Sequence, residues 1–271
     1  MSVIFSPWQI KSVAIKNRLV RSATWEGAAT PEGDVTDKLV QYYHDFSRGG
    51  LGLIISGYMY VRPDGIGLSY QTGISNDDQI GGLQQLTRAA HYEDTRVVCQ
   101  IVHGGGQVSA HLLPKGAEPL APSDHYYERF KTDAREMTAD EINGIVVAFG
   151  DAAARAKAAG FDGVQLHSAH GYLINQFLSG HTNKRKDGYG GSLAGRFRFA
   201  KEVVRTVRAR VGDAYPVGVK LNSQDFVEDG ILLEEAVQFA EWYEQSGVDF
   251  IEVSGGVPEA GKMSPTRAVK K

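Results

Sequence analysis

Cysteine is all but missing from this chain: Cys99 is the only one in 271 residues. An internal disulfide is therefore excluded, as is a Cys-based metal cluster, and the expected setting is a reducing cytoplasm. The sequence also lacks the run of about 18 apolar residues that a membrane span needs. Its first residues, MSVIFSPWQIKSVAIKNRLV, lack the basic-then-apolar order of a secretion signal. Charge of one sign is lacking too. With 29 Lys and Arg against 32 Asp and Glu, the net charge is −3, so neither nucleic acid nor a membrane surface is an expected partner. No short fixed-period repeat and no low-complexity segment interrupts the chain. The remaining composition, 42% hydrophobic and 23% charged, is that of an ordinary soluble protein, long enough for one large core. A single domain over 1–271 is expected.

What is present is a rhythm of apolar strands and amphipathic helices. Residues 3–15 alternate loosely around Pro7 and predict a small hairpin plugging one end of the domain. Residues 17–24 predict a first strand. Thr36 caps a helix carrying Leu39, Val40, Tyr43 and Phe46, stopped by Gly49 and Gly50. Residues 51–56 (LGLIIS) predict a second strand of the continuous apolar kind that parallel sheets bury on both faces. A loop over 57–75 and a helix over 77–92 follow. Residues 97–102 (VVCQIV) predict a third strand, ending at His103 and three glycines. Residues 104–137 are long and polar enough to be a lid or binding loop. Thr138 and Glu141 form a capping box for a helix that runs to residue 159. Strands over 161–166, 216–221 and 248–253 alternate with helices over 193–210 and 233–245. Six such units predict an α/β fold with an all-parallel sheet and right-handed crossovers. A doubly wound sheet is the competitor, but it usually carries a Gly-rich phosphate loop after its first strand, where this chain reads SATWEGAATPEG. The preferred reading is a (β/α)8 TIM-barrel type that is incomplete, because six units are present and a closed barrel needs eight.

Chemistry concentrates in residues 161–191, GFDGVQLHSAHGYLINQFLSGHTNKRKDGYGG. Two imidazoles, His167 and His170, and the phenol of Tyr172 follow a buried strand, where parallel α/β proteins place their sites. A pair of structural histidines capping a helix is one reading of His-x-x-His; a metal pair is another, though no nearby Cys or carboxylate completes it. Ligand binding is the third. Gln100 inside an apolar strand needs a buried partner. Lys220, read as ending the fifth strand, is either a functional cation or a snorkelling lysine paired with Asp225. The run Asn183, Lys184, Arg185, Lys186, Asp187, Tyr189 reads chiefly as a solvated loop, with Arg185 and Asp187 packing across the barrel rim as a structural extra. Tyr126 and Tyr127 in the 104–137 loop are candidates to lie over a substrate.

The segments NRLVRSAT, GLIISG, CQIVHGG, GFDGVQLHSAHGYLINQFLS, NKRKDGYGGS and VGVKLNSQDF, in that order, resemble the Old Yellow Enzyme family of FMN-dependent NAD(P)H:flavin oxidoreductases and ene-reductases. The resemblance runs from Phe5 to Gly256, and HxxHGYLxxxFLS followed by D-x-YGGS is its most specific part. It implies FMN at the C-terminal ends of the strands, NADH or NADPH as reductant, and a small-molecule substrate with an activated, enone-type C=C bond. His167 and His170 would donate hydrogen bonds to the substrate carbonyl oxygen, where negative charge builds as hydride adds. Tyr172 would be the proton donor; a phenol with its usual pKa near 10 stays protonated at neutral pH. Gln100 would bond the polar edge of the ring, and Lys220 its N1/C2 side. Ala23, Thr24 and Gly57 align with backbone contacts to the ring. Trp25 departs from the family, where many members carry a small polar or thiol residue that tunes the flavin.

In that family two further βα units follow the sixth strand, and their loops cradle the FMN phosphate. Residues 257–271, ending in Lys270 and Lys271, are too short to supply them. The expectation is a form shortened at its C-terminus, with impaired flavin affinity or with its open sheet edges covered by another copy in a homo-oligomer. The alternative function is a catalytically impaired barrel remnant acting as an assembly or binding module. A third reading, a flavin-free lyase using Lys220 as a Schiff-base amine, fits poorly with Gln100 and the paired histidines.

Overall fold

The computed structural model describes residues 2–263; Lys270 and Lys271 lie outside them. The chain opens with an antiparallel hairpin, β1 (Trp8–Ile10) and β2 (Val13–Ile15). Then come β3 (Val20–Arg21), α1 (Asp37–Arg48), β4 (Leu53–Ile55), β5 (Met59–Tyr60), α2 (Ile80–Ala90) and β6 (Arg96–Val102). The 104–137 segment contains β7 (Leu120–Ala121), β8 (His125–Tyr127) and β9 (Thr132–Glu136). The second half holds α3 (Ala139–Ala158), β10 (Gly163–Ser168), α4 (Leu173–Leu178), α5 (Leu193–Val211), β11 (Val217–Asn222), α6 (Leu233–Gln245) and β12 (Phe250–Ser254).

The main sheet is parallel throughout, in the order β12-β11-β10-β6-β4-β3, with β5 continuing the line of β4 along β6. Sequence order and spatial order coincide, as in a barrel and unlike a doubly wound sheet, whose order reverses. This is the partial TIM barrel the βα rhythm predicted. The capping signals hold as well. Thr36 Oγ1 accepts from the Leu39 N–H at 3.2 Å. Thr138 Oγ1 accepts from the Glu141 N–H at 3.2 Å, while Glu141 accepts from the Thr138 N–H at 2.8 Å.

Strand residues alternate between two environments. Ile54, Val97, Cys99, Ile101, Val164, Leu166, Val217, Val219 and Leu221 face the helices and join them in the large core. Leu53, Ile55, Val98 and Phe250 face inward and pack under the hairpin residues Ile10 and Ile15. The hairpin is thus the expected plug, and it seals the N-terminal end of the strands. Gly218 is required at this level, because any Cβ there would overlap the Phe250 ring.

Several boundaries differ from expectation. The first strand shrinks to Val20–Arg21 because the Asn17 side chain takes the Leu19 N–H (3.0 Å) and bonds the Gly50 carbonyl (2.8 Å). The second strand breaks at Gly57, whose N–H turns to the Tyr43 hydroxyl at 3.1 Å, and pairing resumes as β5 inside what reads as loop. The polar 104–137 segment folds into its own three-stranded sheet, ordered β7-β9-β8. Strands β10, β11 and β12 begin and end later than their apolar runs suggest. Their polar C-terminal residues are ladder residues, not loop: His167, for one, pairs opposite Lys220, while Ser168 turns outward to the Tyr243 hydroxyl of α6.

Candidate active site

Above the hairpin plug the lumen turns polar, with one residue each from β6, β10, β11 and β12 and Ser22 just after β3. Gln100 Nε2 donates to Gln165 Oε1 at 2.5 Å, and Gln165 Nε2 donates to Glu252 Oε2 at 2.9 Å. Lys220 Nζ donates to Glu252 Oε1 and to Ser22 Oγ, both at 3.0 Å. The Ser22 hydroxyl bonds Glu252 in turn. Ser22 directly follows β3, and Glu252 lies on β12, so this network joins the two edge strands across the lumen. Gln100 and Lys220 therefore belong to one floor. Lys220 sits within β11, not at its end, and its partner is Glu252. The expected partner Asp225 instead accepts from Asn222 at 2.8 Å and Asn175 at 3.2 Å. A carboxylate two strand positions from Phe250 outweighs one in the following loop because β11 and β12 pair with Lys220 opposite Glu252.

At the rim stand the imidazoles and phenols. His167 is the inward residue of β10 opposite Lys220, inside the strand where it was expected just beyond. Its ring centroid lies 5.2 Å from that of His170 and 4.8 Å from that of Tyr172. Burial, followed by the nearby His170 and Lys220 charges, holds His167 well below the ordinary imidazole range. Burial likewise lowers His170 to about 4. Both rings are neutral at pH 7. The Ala169 N–H points at His167 Nδ1 at 3.4 Å, which leaves the proton on Nε2 as a free donor. His170 adopts a left-handed backbone, φ 59°, followed by Gly171 at φ 77°. The turn is held by Asn222 Oδ1, which accepts from the His170 N–H at 3.3 Å, and Asn175 Oδ1, which accepts from the Gly171 N–H at 2.6 Å. His170 Nε2 lies 2.6 Å from Ser254 Oγ.

Tyr172 caps α4 and donates its hydroxyl to that of Tyr58 at 3.3 Å. Burial raises the pKa of both phenols, so both stay protonated at neutral pH. Tyr58 carries no periodic or motif signal in the sequence; only its place after Gly57 hinted at it. Glu252, Gln165, Ser22 and Ser254 were equally silent. They became readable once the inward positions of each strand were known.

The remaining candidates are placed as follows. Ala23 is half-buried against the inner cluster, and Thr24 is exposed with its hydroxyl on the Ser22 carbonyl at 3.3 Å. The N–H of Gly57 is committed to Tyr43 and to Glu26 (3.3 Å), and a Cβ there would overlap the Glu26 carboxylate. Trp25 is exposed and stands against Gly27. Tyr127 does not lie over the rim: it is buried against Gly106, while Tyr126 is exposed. The 183–189 run is solvated at Lys184, Lys186 and Asp187 but not throughout. Asn183 and Arg185 are buried, and Arg185 donates to the carbonyls of Pro122 (2.9 Å) and Met137 (2.7 Å) and to Asp187 (2.6 Å).

The residues present fit a flavin ring. Gln100 Oε1 is a buried acceptor with no partner among the described residues, which suits a ring N–H. Lys220 supplies a cation on the same floor, and two neutral imidazole donors stand over it.

Comparison with known proteins agrees with this geometry. The model of the NADH:flavin oxidoreductase / NADH oxidase family matches residues 3–261. The NADH oxidase of Thermoanaerobacter brockii is 39% identical over 258 residues, 95% of this chain and 40% of that protein. The NADPH dehydrogenase of Listeria monocytogenes serotype 4a is 35% identical over 257 residues, 94% of this chain and 74% of that protein. Among solved structures, a 2-naphthoyl-CoA reductase complex superposes with a TM-score of 0.91 at 32% identity, covering 95% of this chain and 41% of that one. The Old Yellow Enzyme homologue of Zymomonas mobilis superposes with a TM-score of 0.85 at 29% identity, covering 97% and 80%. The chain thus spans about 40% of the T. brockii protein, and the match covers its barrel from plug to sixth strand. Sheet order, rim histidines and sequence all lead to one assignment: this chain belongs to the NADH:flavin oxidoreductase / NADH oxidase family.

Proposed function

We propose that the rim and floor serve an FMN-dependent, NAD(P)H-driven reduction of activated alkenes. When bound, FMN would supply the redox chemistry, hydride transfer between NAD(P)H and the substrate carbon. Gln100 and Lys220 hold the ring, with Ala23 and Thr24 beside it and Gly57, whose own N–H is turned to Tyr43 and Glu26, leaving room for its close approach. His167, through its free Nε2–H, and His170 orient the substrate by its carbonyl oxygen. Neutral donors fixed before the substrate arrives stabilise the charge that develops there, without reorganisation. Tyr172 holds a proton beside His167. Tyr58, whose oxygen accepts from the Tyr172 hydroxyl, can turn its own proton to the Tyr172 oxygen as the Tyr172 proton leaves. The aromatic walls of Tyr58, Tyr172 and His167 favour a planar, conjugated substrate.

The observation that carries this reading is the convergence of His167, His170 and Tyr172 over a floor with an unpartnered glutamine oxygen and a buried lysine. The test is an anaerobic titration of protein plus FMN with NADH and then NADPH, followed by addition of a phenol or enone ligand. The flavin band is expected to bleach, and the oxidised form to shift its spectrum with ligand. In His167→Asn and His170→Asn the bleaching persists but the ligand shift weakens about 10-fold or more. An unchanged ligand shift in both variants would remove the histidines from the substrate side.

A further inference from the structure

The floor network has a direction, and one residue sets it. An ionised carboxylate only accepts hydrogen bonds, whereas a carboxamide both donates and accepts. Burial opposes ionisation of Glu252, yet the Ser22 hydroxyl, the Lys220 charge and the Gln165 amide hold its carboxyl below the usual range. Gln165 must therefore turn its Nε2 toward Glu252, which leaves its Oε1 facing β6. Gln100 answers with its own Nε2. The one atom left over is Gln100 Oε1, buried and without a partner among the described residues. Reversing the first link would reverse every later one, and a nitrogen would then be the atom left over.

Resting on the flavin reading above, we propose that Glu252 is a positioning residue that fixes the polarity of this floor. Through Gln165 it presents the Gln100 oxygen as an acceptor for a ring N–H, and at 3.0 Å it offsets the Lys220 cation. Two consequences follow from charge alone. Lys220 favours the electron-rich reduced ring, and Glu252 opposes it, so Glu252 keeps the reduction potential of the bound flavin low. Oxidised FMN, whose ring N–H the Gln100 oxygen receives, is bound with the amides already aligned.

The experiment is a potentiometric titration of the FMN-loaded protein against a reference dye, in wild type, Glu252→Gln and Gln165→Leu. Glu252→Gln is nearly isosteric and removes one negative charge. Its flavin is expected to favour the reduced form about tenfold more, an upward shift of about 30 mV for a two-electron couple. Gln165→Leu cuts the relay and leaves both charges, so oxidised FMN binds about tenfold more weakly while the potential moves less than in Glu252→Gln. Where Glu252→Gln does not fold, Glu252→Asp, whose carboxylate retreats from Lys220 and Gln165, is expected to shift the potential upward by less. A folded, flavin-loaded Glu252 variant with unchanged or lowered potential overturns the role of Glu252 and leaves the flavin reading standing. Wild-type protein that takes up no FMN overturns both. Potential is the readout a merely structural residue would not move in a fixed direction.

Discussion

His170 sits in a backbone conformation that non-glycine residues rarely adopt, and two buried amides keep it there. The turn aims the ring at Ser254 and back toward His167, which no regular helix start would do. Its surroundings also withhold the proton. A free imidazole titrates near 6.5, and the folded His170 near 4. Between those values the unfolded chain binds the extra proton and the folded chain does not. The stability due to the neutral ring is therefore complete above about pH 6.5 and is lost as the pH falls toward about 4. Urea unfolding midpoints measured from pH 7 to 4.5 should fall less steeply for His170→Asn than for wild type. Parallel curves would mean that this imidazole titrates alike in both states.

At the scale of elements, the 183–189 strap and the lid sheet depend on each other. Arg185 threads its guanidinium between the Pro122 and Met137 carbonyls, the residues directly after β7 and directly after β9. It closes the lid onto the barrel rim from a position 6% exposed. Removing it strands two carbonyls and Asp187. Arg185→Ala should lower stability by about 2–4 kcal/mol. Arg185→Lys should recover little of this, since a point charge cannot reach both carbonyls and the carboxylate. Equilibrium urea denaturation measures it, and a loss under about 0.5 kcal/mol, the usual size at an unimportant surface site, would show the strap to be decorative. The run was read as solvated because Asn, Lys, Arg and Asp are ordinary turn residues. The burial of Arg185 depends on carbonyls 48 and 63 residues upstream in sequence.

For the whole molecule, the strand cylinder is curled but open, with β3 and β12 as its edges. Their side chains meet through Ser22, Lys220 and Glu252 in the lumen, yet among the described residues the backbone ladder does not close. The β12 side also leaves apolar surface bare: Val253 is 72% exposed, and Val237, Leu232 and Leu233 on or beside α6 are each more than half exposed. Unpaired edges and apolar strips of this kind favour association. The protein is expected to self-associate as its concentration rises, and Val253→Lys with Val237→Lys to suppress this, as read by static light scattering. Equal, concentration-independent masses for the two proteins would remove the open edge as a cause. No helix among the described residues is long and apolar enough to cross a membrane.

The sequence by itself determined the succession of parallel strands and helices, the helix caps at Thr36 and Thr138, the plug hairpin, and the stretch that carries His167, His170 and Tyr172. Each of these is local: hydrophobic period, a capping side chain and a short motif need only nearby residues to be legible. Tertiary structure alone decided that Lys220 answers to Glu252 and not Asp225, that Tyr58 supports Tyr172, and that the carbonyls Arg185 clasps are those of Pro122 and Met137. These pairings join residues 32 to 114 positions apart. Strand register and the curl of the sheet bring them together, and no period within one segment can encode a distance measured across a lumen.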